Sequence, residues 1–156
     1  YFSEIFRLSE FEKFTNISNN FVQENKSRSI KNVLRGLHFQ LKFPQGKLVF
    51  VTCGKILDII VDLRKNSETF GLWDKIILSD SNKRQLWIPE GIAHGFLVLS
   101  EYADFQYKCT EYYKPSDEFC LRWNEPKLSI DWPIKNPILS PKDQKGLSWD
   151  EIVNII

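Results

Sequence analysis

The sequence predicts an all-β domain built as a jelly roll, and three observations predict it. Val, Ile, Leu and Thr crowd into short runs. Turn signals separate those runs at intervals of about 8–12 residues, the rhythm of antiparallel sandwiches and barrels. Aromatic residues make up 14% of the chain, a large apolar payload for the space between two sheets. Two sheets packed in this way enclose a cavity that side chains can line.

The elements follow in chain order. Tyr1-Phe2-Ser3-Glu4 reads as the inside of a strand, and the chain holds no methionine, so a leading segment is expected ahead of Tyr1. SEFEKFT predicts a short helix with Ser9 as its N-cap. KLVFVTCGKILDIIVDLR predicts two strands around Gly54, with Leu48, Phe50 and Thr52 following the two-residue alternation. GLWDKIILS is a third strand, RQLWIPEGIAHGFLVLS gives two more around Pro89-Glu90-Gly91, and DFQYKCTEYY follows. SPKDQKGLSW begins like a helix capped by Ser140 with Pro141 at its first position. SWDEIVNII closes the chain as a short amphipathic turn. The few helices are peripheral. With no repeat, low-complexity tract or linker, residues 1–156 are expected to form a single domain.

Composition excludes several function classes. A domain of 156 residues buries roughly 70% of its unfolded surface, enough for a sizeable core. Lys and Arg number 21 against 20 Asp and Glu, a balance that argues against a nucleic-acid partner. Cys53, Cys109 and Cys120 form no C-x-x-C pair, and only two histidines accompany them. No structural zinc site is therefore expected, and a reduced, cytoplasmic chain is. No run of about 20 apolar residues exists to span a membrane, and no signal peptide is visible.

Few residues offer chemistry. His38, in NVLRGLHFQLKFPQGKLVF, lies between apolar Leu37 and Phe39, so a strand would turn it to the other face. It is either a proton acceptor facing a cavity or a hydrogen-bonded core histidine, and spacing alone favours the second. His94, in PEGIAHGF, stands between the same alternatives. A metal-binding jelly roll wants His-x-His with a Glu and a third His, and the chain has no such set. Tyr107, Tyr112 and Tyr113 read as packing residues or as proton donors. Asp143, beside Lys142, is a surface charge or a carboxylate that orients a histidine. No serine elbow, P-loop or dinucleotide fingerprint is present.

Six strings carry a resemblance: FVQENKSRSIKNVLRGLHFQ, QGKLVFV, VDLRKNSETFG, NKRQLWIPEGIAHGF, YKCTEYY and LSPKD. In this order, over nearly the whole chain, they resemble the dTDP-4-dehydrorhamnose 3,5-epimerase family. The resemblance implies a cupin-like jelly roll (a double-stranded β-helix) that acts as a homodimer without a cofactor or metal. It implies a dTDP-4-keto-6-deoxyhexose substrate and the epimerisation of dTDP-4-keto-6-deoxyglucose at C3 and C5, on the route to dTDP-L-rhamnose. By the same resemblance His38 is the base, Asp143 its orienting partner, Tyr107 the acid and Lys47 the cation beside the enolate oxygen. Arg35, His94, Glu118 and Lys142 line the sugar and diphosphate site, and Gln23, Asn25 and Glu4 help hold the nucleotide. The chain departs from the pattern in two places. The arginine that precedes the counterpart of Tyr1-Phe2 is absent, and the loop at Leu41 to Pro44 is one residue short. The alternatives are a relative that inverts one carbon or takes another nucleotide sugar, and a non-catalytic sugar-nucleotide-binding jelly roll.

Overall fold

The computed structural model describes residues 1–18 and 20–156. Among the described residues, helix α1 (Leu8–Thr15) precedes nine strands: β1 (Gln23–Ile30), β2 (Leu34–Gln40), β3 (Lys47–Cys53), β4 (Lys55–Asp62), β5 (Trp73–Ser79), β6 (Gln85–Ile88), β7 (Ile92–Val98), β8 (Tyr102–Cys109) and β9 (Glu118–Cys120). Helix α2 (Trp149–Ile155) closes the chain. The strands pair antiparallel in two sheets, in the orders β1-β8-β3-β6 and β5-β4-β7-β2-β9. Neighbours in the sheets are mostly distant in sequence, as in a jelly roll, and the expected fold class holds.

Two apolar layers hold the sheets in place. Val49, Val51, Ile56, Ile88, Phe96 and Phe105 pack between the sheets. Leu37, Ile59 and Leu97 face outward from the five-stranded sheet and meet Trp132, Leu147 and Ile152 from the C-terminal segment. Burying each large side chain stabilises the domain by about 1.5–3 kcal/mol. This second layer presses the segment beyond β9 onto the sheet. The segment is pinned further by the parallel bridge Leu121–Leu147 and by reciprocal backbone bonds between Leu37 and Leu121.

The local expectations fared unevenly. Gly54 joins β3 to β4 at φ 82, as its place between two apolar runs predicts. The opening residues 1–7 form no strand. Ser9 lies inside α1; the N-cap is Arg7, and no side chain caps the helix. SPKDQKGLSW yields only a 3-10 turn at Asp143–Lys145, because Gly146 leaves the helical path while Leu147 pairs with β9's continuation. Ser140 still bonds the turn, its Oγ accepting the Asp143 N–H at 3.1 Å. Helix α2 carries a full capping box between Ser148 and Glu151.

Candidate active site

Strand β2 sets the site. Its register against β7 slips between Arg35 and His38. Residues three apart in a regular strand face opposite sides; the bulge places both Arg35 and His38 on one cavity. Gly36 makes the bulge sterically feasible. It sits at φ +101, and a Cβ there would lie 2.5 Å from the carbonyl oxygen of His94.

His38 Nε2 lies 2.6 Å from Asp143 Oδ1. The same oxygen accepts the Gly36 N–H at 3.2 Å, and Oδ2 accepts the Ser140 hydroxyl at 2.7 Å. Burial alone would raise the Asp143 pKa, but the hydrogen bonds from His38, Ser140 and Gly36 outweigh it and hold the carboxyl below its ordinary value. An ionised carboxylate only accepts, so Nε2 carries the proton and the Nδ1 lone pair is left basic. Nδ1 faces Glu118 Oε1 at 3.8 Å.

The opposite wall comes from the four-stranded sheet. Tyr107 and Cys109 alternate onto its inner face, where Tyr107 stands level with Asn25 and Val49, and Cys109 with Gln23 and Lys47. Burial pushes the Tyr107 phenol above its ordinary pKa, so it stays protonated at neutral pH. Burial pushes the Lys47 ammonium down, with nearby Cys109 and Asp58 opposing the shift. Gln23 donates to Asn25 Oδ1 at 3.1 Å and its own oxygen accepts the Tyr113 N–H at 2.8 Å. Arg35 is tied to Ser29 Oγ at 3.0 Å.

At the mouth, the Tyr113 hydroxyl donates to Glu118 Oε2 at 2.7 Å, and Lys142 pairs with the same oxygen. At the floor, buried His94 bonds Asp58 Oδ2 at 2.9 Å. Asp58 is wholly enclosed; burial raises its carboxyl pKa against the pull of His94 and Lys47. The enclosed space is about 290 Å³. The short loop after β2 is anchored, because Asp117 accepts the N–H groups of Lys42 and Phe43 at 2.8–3.1 Å.

Of the residues expected in a site, Gln23, Asn25, Arg35, His38, Lys47, His94, Tyr107 and Glu118 line this cavity. Asp143 stands behind His38, and Lys142 reaches the rim through Glu118. Glu4 is not brought there: it pairs with Arg7 at 2.8 Å on the N-terminal arm, over a groove lined by Gln85 and Trp87. Sequence reasoning overlooked Asp58, Gln45 and Ser27, and left Tyr113, which lines the cavity, between packing residue and proton donor. Asp58 had a signal: a lone carboxylate in the apolar run KILDIIVD demands a buried partner.

Known proteins resemble this chain in sequence and in fold. Residues 1–151 match the profile of the dTDP-4-dehydrorhamnose 3,5-epimerase family. The chain is 52% identical over 147 residues to the dTDP-4-dehydrorhamnose 3,5-epimerase of Pseudomonas aeruginosa, covering 94% of this chain and 81% of that one. It is 50% identical over 157 aligned residues to the Escherichia coli protein of the same name, covering 99% and 85%. A crystal structure of dTDP-6-deoxy-D-glucose-3,5-epimerase from Legionella pneumophila, in complex with dTDP-4-keto-L-rhamnose, superposes with a TM-score of 0.92 at 51% identity, covering 99% of this chain and 81% of that one. The chain belongs to the dTDP-4-dehydrorhamnose 3,5-epimerase family, and it is an epimerase.

Proposed function

We propose that this epimerase inverts C3 and C5 of dTDP-4-keto-6-deoxyglucose, giving dTDP-4-keto-L-rhamnose for rhamnose-containing cell-surface polysaccharide. One observation carries the reading: His38, backed by Asp143, and Tyr107 come from opposite sheets and line one cavity. Inversion needs a base on one side of the sugar ring and an acid on the other. The C4 ketone acidifies the protons on C3 and C5. His38 removes one proton, and the electron pair moves onto the C4 oxygen as an enolate. Lys47 stabilises that oxygen in a site where burial strengthens charge interactions. Tyr107 returns a proton to the opposite face. One proton replaces another, so the step consumes neither oxidant nor reductant. Asp143 keeps the His38 tautomer and supports the imidazolium that forms.

Arg35 and Lys142 hold the diphosphate end, with arginine suited to bidentate phosphate contact, and Glu118 lines the sugar site while pairing with Lys142. Gln23 and Asn25 hold the nucleotide from β1, and His94 supports the sugar from the floor. Glu4 lies apart from the cavity of its own chain, on an arm whose Tyr1 and Phe2 are fully exposed. That placement supports a homodimer in which the arm serves a second copy; a monomer mass by light scattering would overturn it. The three free thiols suit a reducing cytoplasm, and among the described residues no helix is long and apolar enough to cross a membrane.

The test is proton NMR in deuterium oxide with dTDP-4-keto-6-deoxyglucose. The enzyme should place deuterium at both C3 and C5 and accumulate the L-rhamno product. Tyr107→Phe should still exchange both positions while inversion falls by about 10²–10⁴-fold. Exchange at one carbon only would make the enzyme a single-centre epimerase, and normal inversion by Tyr107→Phe would remove the tyrosine from the acid role.

A further inference from the structure

We propose that His38, Asp143 and Cys120 form an inhibitory site for a thiophilic divalent cation, Zn²⁺ or Cd²⁺, which captures the catalytic base. Cys120 has no part in the reaction above, yet its Cα is level with that of His38 across the β2–β9 pair. Directly opposed residues share a face of the sheet, so the thiol is delivered to the dyad. An imidazole nitrogen, a carboxylate oxygen and a sulfur converge there, all within 4.8 Å of one another. This is a zinc donor set, and its sulfur favours soft cations over Mg²⁺ and Ca²⁺.

The distances lie close to what the metal needs. Tetrahedral zinc with ordinary bond lengths sets its donors about 3.3–3.6 Å apart. Cys120 Sγ lies 3.8 Å from Asp143 Oδ1, and His38 Nε2 lies 2.6 Å from that oxygen. The sulfur is almost in place, and the imidazole must back away by under about 1 Å to reach the zinc spacing. The His38 side chain is 25% exposed against 3% for Asp143, so the movable donor is the one facing the cavity. The fourth position opens to the cavity and takes water.

The protons balance. On binding, the Nε2 proton is exchanged for one on Nδ1, where the Glu118 carboxylate waits at 3.8 Å. The thiol proton goes to solvent, and the cation trades water ligands for nitrogen, oxygen and sulfur. No electron is transferred. Nε2 is then bound to the cation and Nδ1 carries the proton, so no imidazole lone pair remains and proton abstraction stops. Binding stands on the geometry alone; inhibition rests on the proposed role of His38 as the base.

Titrating the full chain with CdCl₂ in the absence of substrate tests the site. We expect one Cd²⁺ per chain and an ultraviolet thiolate-to-cadmium charge-transfer band. The band should persist in Cys53→Ser and Cys109→Ser and vanish in Cys120→Ser. Loss of an outer partner alone costs a metal site about 10–100-fold in affinity, so His38→Ala should weaken binding by at least about tenfold. Zinc X-ray absorption on the unaltered chain provides a check that needs no variant: a shell of one sulfur and lighter donors is expected, and a shell without sulfur overturns the site. A band that survives in Cys120→Ser also overturns it. In turnover assays ZnCl₂ should inhibit, EDTA should restore activity, and Cys120→Ser should resist. A band in the unaltered chain without inhibition would leave the site standing and overturn His38 as the base.

Discussion

Two histidines line the same cavity, each backed by a buried aspartate, and the two pairs differ in setting rather than in chemistry. His94 and Asp58 lie 2.9 Å apart with 7% and 0% of their side chains exposed. His38 and Asp143 lie 2.6 Å apart with 25% and 3% exposed. The first pair joins neighbouring strands, β7 and β4, in the heart of the sandwich. The second joins a strand to a turn held by the outer apolar layer. The more deeply buried pair fixes charge and shape; a pair with one open nitrogen is placed to exchange protons with a substrate, the role proposed for His38. Exposure of the imidazole, more than the length of its hydrogen bond, separates the two roles.

That contrast can be broken in three ways. The largest effect should come from the open pair: His38→Ala should lower kcat by about 10⁴-fold and abolish deuterium incorporation at C3 and C5. Undiminished exchange would take His38 out of the base role. The sealed pair should report in stability. His94→Leu leaves the Asp58 carboxylate buried without its partner, a change that costs about 3–5 kcal/mol in urea unfolding. His38→Ala should cost less, about 1–2 kcal/mol, because Ser140 and Gly36 still satisfy Asp143. Equal losses would erase the distinction.

The smallest effect lies in the pH profile and connects the sealed pair to catalysis through Lys47. Burial lowers the Lys47 pKa, so its charge is lost as pH rises through a value below the ordinary lysine figure of about 10.4. The alkaline limb of kcat should fall below that pH. Lys47→Arg, always charged, should be slower but lack the limb. A limb unchanged in Lys47→Arg would assign it to another group.

The strands with strong alternation were legible: β3 to β8 follow from apolar runs and their turns. β1 (QENKSRSI) and β9 (EFC) were not, because one is almost wholly polar and the other three residues long. β1 exists because β8 pairs with all eight of its residues, a tertiary cause that no local pattern announces. The site was legible only through the ordered family strings. Spacing alone left His38 more structural than reactive, since it cannot show that a turn 105 residues away delivers Asp143. The bulge at Gly36 was equally hidden. Regular alternation would have sent Arg35 and His38 to opposite faces, and a one-residue slip placed them together.

The distance in sequence between His38 and its carboxylate also has a meaning in time. During synthesis at about 5–20 residues per second, roughly 5–20 s pass between the addition of the histidine and that of Asp143. By the end of that interval the nascent chain holds Arg35, His38, Lys47 and Tyr107 but not yet Asp143. In the proposed mechanism the base therefore gains its orienting carboxylate only when the turn at Asp143–Lys145 is made and docks, and a chain cut short before Asp143 lacks that pair.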